Sequence, residues 1–395
     1  MYKIHLAFSH PCTKKLQQCT KVPTERSYCL RGQGEKAAMS SSRLPFLSGN
    51  ISYCETPTGN INKSFRNGGI PVNLKDGSAS NYEDGNIWLM FRSRVSRHLN
   101  SFYQFSRPHT VIGTLIGITS VSLLPVESIA DLSPSFFVGL MKALVPSVLM
   151  NIYVVGLNQL FDVEIDKTNK PYLPIASGYF SMETGVTIVS ASLLMSLTMG
   201  VMFRSVPLLS ALLIGFVLGS VYSIDLPLLR WKKHAYLAAS CILIVRAVVV
   251  QLAFFIHIQK CVLGKHLALT RSLAFATAFM CFFSAVIALL KDIPDTNGDS
   301  IHGIQSFSVS LGPKRVFWVC VNMLLLAYGA AVVVGASSSF LPSKLATMLG
   351  HCTLAAILWV RARSVDISSK EATTSFYMFI WKLFYIEYFL IPFVR

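Results

Sequence analysis

The chain has 395 residues, 52% of them hydrophobic and only 14% charged, with a mean hydropathy of +0.52. That balance excludes an ordinary soluble domain and describes a polytopic membrane protein. The formal charge of +16 is unevenly placed, so it speaks for import and membrane orientation and against nucleic-acid binding.

Residues 1–80 hold eleven Lys and Arg against four acids (Glu25, Glu35, Glu55 and Asp76), together with ten serines. A basic, Ser-rich, acid-poor leader has the composition of an organelle transit peptide; the alternative is a disordered tail. Residues 1–20 lack the uninterrupted apolar core of a secretory signal. Four of the nine cysteines (Cys12, Cys19, Cys29 and Cys54) fall in this leader, and the rest lie in or near apolar spans. No CxxC pair and no His-Cys spacing suits zinc, so the cysteines read as small hydrophobes.

Residues 81–107 form an amphipathic approach in which Arg92, Arg94 and Arg97 are set among aromatic and aliphatic side chains, as in an interfacial helix. Residues 108–395 then carry apolar windows near 109–126, 136–160, 183–203, 207–222, 235–257, 269–290, 315–336, 343–361 and 375–394. A helix needs about 20 apolar residues to cross the hydrocarbon core. The expected fold is therefore all-α, a membrane bundle of about nine transmembrane helices.

Two acidic stretches lie where spans end: Asn158 to Asp166 after the second, and Lys291 to Asp299 after the sixth. If the first continues its span as helix, Asn158, Asp162 and Asp166 share one stripe. In the second, Asp292, Asp295 and Asp299 recur at three and then four, with Pro294 and Gly298 disturbing the local geometry. Clustered like charges at a membrane boundary need compensation. Carboxylates without His or Cys suit a hard cation, and Mg²⁺ typically joins one or two carboxylates to substrate phosphates. These stretches therefore predict a magnesium–diphosphate site.

Counting spans places both stretches on one side of the membrane, with the loop after span 4 (Tyr222 to Lys233) and Arg107 on the same side. That face carries eleven basic residues in its loops against five opposite, which makes it the inner face by the positive-inside rule. For a plastid protein that face is the stroma. Spans 2 and 6 each end in an aspartate cluster, a weak sign of internal repetition.

These residues resemble the UbiA superfamily of intramembrane aromatic prenyltransferases. The first motif of that family, N-Q-x-x-D-x-x-x-D, is matched by Asn158, Gln159, Asp162 and Asp166. The second, K-D-x-x-D-x-x-G-D, is matched by Lys291, Asp292, Asp295, Gly298 and Asp299. The connecting Y-S…P…R-x-K pattern is matched by Tyr222, Ser223, Pro227, Arg230 and Lys232. Wording such as Arg107-Pro108-His109-Thr110, Lys170-Pro171 and Phe379 to Tyr385 is similar to the plant plastid branch of homogentisate phytyltransferases and flavonoid or isoflavonoid dimethylallyltransferases. Asn297 departs from an acid that many relatives carry.

The resemblance implies metal holding by Asp162, Asp166, Asp292, Asp295 and Asp299, with Mg²⁺ as cofactor and Mn²⁺ as substitute. It implies diphosphate contacts from Asn158, Arg107, Arg230, Lys232 and Lys291, and a cation-facing ring at Tyr222. Each has a plainer reading: Arg230, Lys232 and Lys233 also serve as positive-inside anchors, and Tyr222 as an interfacial belt residue. Arg246 stands within span 5, where a charge needs a partner. Glu164 lies off the stripe, and His302 and His351 have no ligand spacing. The expected reaction is transfer of a dimethylallyl group to a flavonoid or isoflavonoid ring carbon, a reading drawn also from Asn297 and from eight aromatic residues between Phe376 and Phe389. The alternative is homogentisate phytyl transfer; a remoter one is an ion-coupled transporter, disfavoured because its site belongs at mid-membrane. The expected partners are a prenyl diphosphate, a phenolic acceptor and the bilayer.

Overall fold

The computed structural model describes residues 79–394, so the expected transit peptide lies outside the described residues. The protein is helical throughout this range, with a single isolated backbone bridge between His234 and Gln305 among the described residues. Helix α1 (Ala79–Phe105) covers the amphipathic approach, and its Trp88, Phe91 and Leu99 are exposed, as an interfacial helix requires.

The spanning helices follow the apolar windows closely. They are α2 (Pro108–Leu123), α3 (Pro134–Phe161), α5 (Met182–Met202), α6 (Val206–Ser223), α7 (Ala235–Val262), α8 (Arg271–Leu290), α11 (Pro313–Ala336), α12 (Leu341–Arg363) and α13 (Lys370–Leu390). Eight helices are long and apolar enough to cross a membrane among the described residues, and α2, at 16 residues, is the shorter ninth. Three short helices lie between them: α4 (Val163–Asn169), α9 (Thr296–Ile301) and α10 (Phe307–Leu311).

Local chemistry sets the ends. Pro108, Pro134 and Pro313 stand in the first turns of α2, α3 and α11, where a missing N–H costs nothing. Ser181, Thr270, Ser306 and Ser369 cap α5, α8, α10 and α13 by accepting from backbone amides. Two apolar cores result. One, around Phe136, Met150, Tyr153 and Leu212, joins α2, α3, α5, α6 and α7; the other, around Phe279, Phe283, Phe317 and Trp381, joins α8 and α11 to α13. Gly113 and Gly117, one turn apart on α2, let α13 close in: a Cβ at either would meet Trp381 or Tyr388 at about van der Waals contact or less.

Candidate active site

The first acidic stretch is not one continuous helix. α3 ends at Phe161, Asp162 adopts φ −112° and ψ 17°, and α4 restarts at Val163. The expected stripe is therefore broken at its central residue. Across the break Asn158 still donates to Asp162 Oδ2 at 2.6 Å. The second stretch is a turn from Lys291 to Asp295 followed by α9, with Asp299 N bonded to Asp295 O at 2.9 Å.

The two stretches and the intervening loop interlock through charge. Lys170, just past α4, pairs with Asp295 of the second stretch. Lys232, from the loop after α6, pairs with Asp162 of the first. Arg230 lies 3.3 Å from Asp162 and 2.5 Å from Asp225, and Lys291 lies 2.5 Å from Asp292. Asn169 donates to Asp299 at 3.2 Å, while Lys370 holds the Asn169 carbonyl at 2.9 Å. A backbone bond from Gln305 to Lys233 O (3.1 Å) ties the loop to the segment after α9. Asp162 and Asp295 are thus offset by cations drawn from other loops and Asp292 by its neighbour Lys291, the compensation that clustering demands.

Two carboxylates are left without a cation. Asp166 is buried, its Oδ2 has no hydrogen-bond partner, and burial pushes its carboxyl up to about 6 against the pull of Lys170 and Arg107. Burial, with Asp292 and Asp295 nearby, pushes Asp299 up to about 7. Burial also lowers Lys232, which Asp162 opposes. Arg107 and Arg230 both hold positive φ (51° and 57°), an uncommon conformation for a residue with a Cβ.

Behind the charged layer lies a cavity of about 250 Å³. Arg107, Asn158, Tyr222 and Lys291 line it, and through Asn158 and Lys291 it adjoins the Asp162 and Asp292 carboxylates. Lys291 Nζ stands 6.0 Å from the centre of the Tyr222 ring, so that ring already faces a cation. Of the eight C-terminal aromatics, Tyr377, Trp381, Phe384 and Tyr388 line the cavity; Phe376 packs on Phe317, and Phe389 is exposed. Asn297 is exposed as well, and among the described residues its side chain makes no hydrogen bond to the site.

Some roles differ from those the sequence suggests. Gln159, a motif residue, is buried and donates to Phe105 O at 2.8 Å, fastening α3 to the end of α1. Asn169 and the ion-pairing role of Lys170 fall outside the motifs. Asn169 lies three residues past Asp166, one helical turn on, and that spacing is the signal the sequence offers. Glu164 pairs with Lys167 at the surface, as an off-stripe residue should.

Among the described residues no three His, Cys, Asp or Glu side chains gather closely enough to hold a metal alone. Magnesium that takes one or two carboxylates together with a diphosphate needs no such closed cage. An oxygen-only donor set with an orphaned buried Asp166 oxygen fits that ion.

The family model described as the UbiA prenyltransferase family matches residues 110–383. Homogentisate phytyltransferase 1, chloroplastic, of Arabidopsis thaliana is 56% identical over 324 residues, covering 82% of this chain and 81% of that one. Glycinol 4-dimethylallyltransferase of Glycine max is 46% identical over 301 residues, covering 76% and 74%. Among solved structures, a UbiA homolog from Archaeoglobus fulgidus bound to GPP and Mg²⁺ superposes with a TM-score of 0.51 at 16% identity, covering 74% of this chain and 99% of that one, which establishes the shared fold. The chain belongs to the UbiA prenyltransferase family and is a membrane-embedded aromatic prenyltransferase that joins a prenyl diphosphate donor to an aromatic acceptor.

Proposed function

We propose that this prenyltransferase transfers the phytyl group of phytyl diphosphate to homogentisate. The observation that carries the homogentisate acceptor is the 56% identity to a homogentisate phytyltransferase against 46% to a glycinol dimethylallyltransferase, over similar lengths, and the phytyl donor is taken from the first of these relatives. The expected dimethylallyl transfer to a flavonoid gives way to it. Neither the exposed Asn297 nor the half-used aromatic segment favours a flat polycyclic acceptor.

In this reading Asp162 and Asp166 on one side, and Asp292, Asp295 and Asp299 on the other, hold magnesium, with manganese able to replace it. Magnesium held by these residues would neutralise charge on the leaving diphosphate. Asn158, Arg107, Arg230, Lys232 and Lys291 hold the diphosphate oxygens. The donor C1–O bond breaks, C1 bonds a ring carbon of the acceptor, and that carbon loses its proton. Tyr222 faces the allylic cation, a role supported by the Lys291 ammonium now on its ring. The apolar wall of the cavity excludes water that would otherwise capture the cation. The basic leader and a relative named chloroplastic support a plastid membrane with the acidic face toward the stroma.

The test crosses phytyl, geranylgeranyl and dimethylallyl diphosphate with homogentisate and an isoflavonoid, in membranes with Mg²⁺. The highest kcat/KM should belong to homogentisate with phytyl diphosphate. A preference for the isoflavonoid with dimethylallyl diphosphate would reject the reading. Orientation is checked separately by labelling Leu228→Cys, which is 94% exposed, from the stromal side.

A further inference from the structure

Arg246 carries a charge within a membrane-spanning helix, and nothing in the site described so far uses it. It lies eleven residues past Ala235 on α7, and Trp381 lies eleven residues past Lys370 on α13. Both helices leave the acidic face, so at 1.5 Å per residue each side chain is about 16 Å along its helix from that end, level with His109 of α2, whose ring lies 5.2 Å from that of Trp381. The guanidinium carbon stands 4.8 Å from the centre of the Trp381 ring. Among the described residues it makes neither an ion pair nor a side-chain hydrogen bond, yet it lines the cavity.

The backbone around it is specialised. Residues Ile244–Val249 form a π-helical turn inside α7, a widening often found at functional sites. Gln251 fastens this turn: its amide donates to the Arg246 carbonyl at 3.1 Å and to the Tyr388 hydroxyl at 2.7 Å. Tyr388 is in turn fixed where Ser120 donates to its carbonyl at 2.5 Å. A positioned guanidinium at this depth, stacked on an indole and without a protein anion, is costly unless a ligand supplies the counter-charge. In the proposed function the diphosphate already has Arg107, Arg230, Lys232 and Lys291 to hold it, which leaves Arg246 for a second anion in the same cavity. A carboxylate on the acceptor reaches it, and the planar fork of arginine matches a carboxylate with two hydrogen bonds.

We propose that Arg246 is the specificity-determining residue for the acceptor, binding a carboxylate borne by the phenol while Trp381 forms the platform beside it. The inference rests on the proposed function, in which the acetate arm of homogentisate is that carboxylate. It adds the selection rule that phenols of the same size without a carboxylate are discriminated against through this one residue.

The experiment uses the full chain with Arg246→Gln and Arg246→Lys. Homogentisate is compared with 2-methylhydroquinone, which has a methyl group in place of the acetate arm, each measured as a KM or as an inhibition constant with one donor. Binding is read independently as the thermal shift that homogentisate or its methyl ester gives the detergent-solubilised protein. Arg246→Gln should weaken homogentisate by about tenfold or more, as expected for losing one charge-assisted pair. The donor KM and the 2-methylhydroquinone constant should stay as in the wild type, with Arg246→Lys intermediate. Homogentisate should stabilise the wild type but not Arg246→Gln, and the methyl ester should stabilise neither.

Equal loss for both acceptors, an unchanged homogentisate constant, a raised donor KM, or no homogentisate stabilisation of the wild type would each overturn the inference. The two readings fail separately. Arg246-dependent binding of homogentisate without its prenylation sinks the proposed function alone. Undiminished homogentisate prenylation by Arg246→Gln sinks this inference alone.

Discussion

Gly298 packs so closely on Asn169 that a Cβ at position 298 would overlap the Asn169 amide. Asn169 follows the first acidic stretch, Gly298 belongs to the second, and the same amide donates to Asp299 at 3.2 Å. The glycine of the second motif is thus a contact surface between the two halves of the site, and its φ is not in the left-handed region. Gly298→Ala must push Asn169 off Asp299, because the asparagine side chain is short and the Asn169 backbone carbonyl is held by Lys370. A hydrogen bond to a charged group is worth about 1.5–3 kcal/mol. Turnover should accordingly fall by about ten- to a hundredfold, with membrane insertion unchanged. Steady-state kinetics on the substituted protein check this, and wild-type kcat/KM would show that the contact does not serve the site.

The ion pairs between Lys232 and Asp162 and between Lys170 and Asp295 make the two clusters one electrostatic unit. Asp162→Ala and Asp295→Ala should each cut kcat by about a hundredfold or more. Residues that act together on one leaving group are strongly non-additive. The double substitution should therefore be little worse than the poorer single one. Multiplied losses, measured in the same membranes, would assign the carboxylates to separate tasks.

Most of this site is legible in the amino-acid sequence, for identifiable reasons. Hydropathy marks each span because a bilayer imposes both length and composition, and the nine windows differ from the helices by only a few residues at most ends. The charged loops are identifiable as neighbours because parity is a counting argument. What stays hidden depends on tertiary contact. Nothing local announces that α3 stops at Asp162, that Gln159 fastens α1, or that Lys170 crosses to Asp295. The C-terminal aromatics mislead because their composition does not say which rings face the cavity; Trp381 does, whereas Phe389 points outward.

The raised carboxyls of Asp166 (about 6) and Asp299 (about 7) predict a pH-dependent demand for metal. An ordinary aspartate titrates near 4, so both bind protons more tightly in the folded, metal-free protein. The stabilisation that this proton binding gives is complete below about pH 4 and is lost as pH rises through 6 and 7. In the proposed function metal displaces those protons, so its affinity should fall as pH falls. Mg²⁺ titrations of activity at pH 5.5 and 7.5 should differ by about tenfold or more in half-saturating concentration. Excess chelator should abolish turnover at both. Half-saturation independent of pH would mean that neither carboxylate competes with protons for the ion.

A second buried pair of titratable groups lies outside the cavity and gives a prediction of the opposite kind. His351 of α12 and Glu387 of α13 are both fully buried, with Nε2 2.9 Å from Oε1. His351 Nδ1 stands 2.6 Å from the Thr347 carbonyl, which can only accept, so Nδ1 carries a hydrogen. Phe275, Phe279 and Tyr328 pack their rings around the imidazole. None of these groups lines the cavity. Removing one partner from a buried pair typically costs about 3–5 kcal/mol, because the other remains uncompensated, whereas replacing both with apolar residues is often close to neutral. His351→Leu should therefore lower the thermal stability of the solubilised protein markedly, and His351→Leu combined with Glu387→Leu should recover most of the loss. The kcat/KM per folded molecule should stay near wild type in both. If His351→Leu instead left stability intact and slowed turnover, the pair would belong to the reaction and not to the packing of α12 on α13.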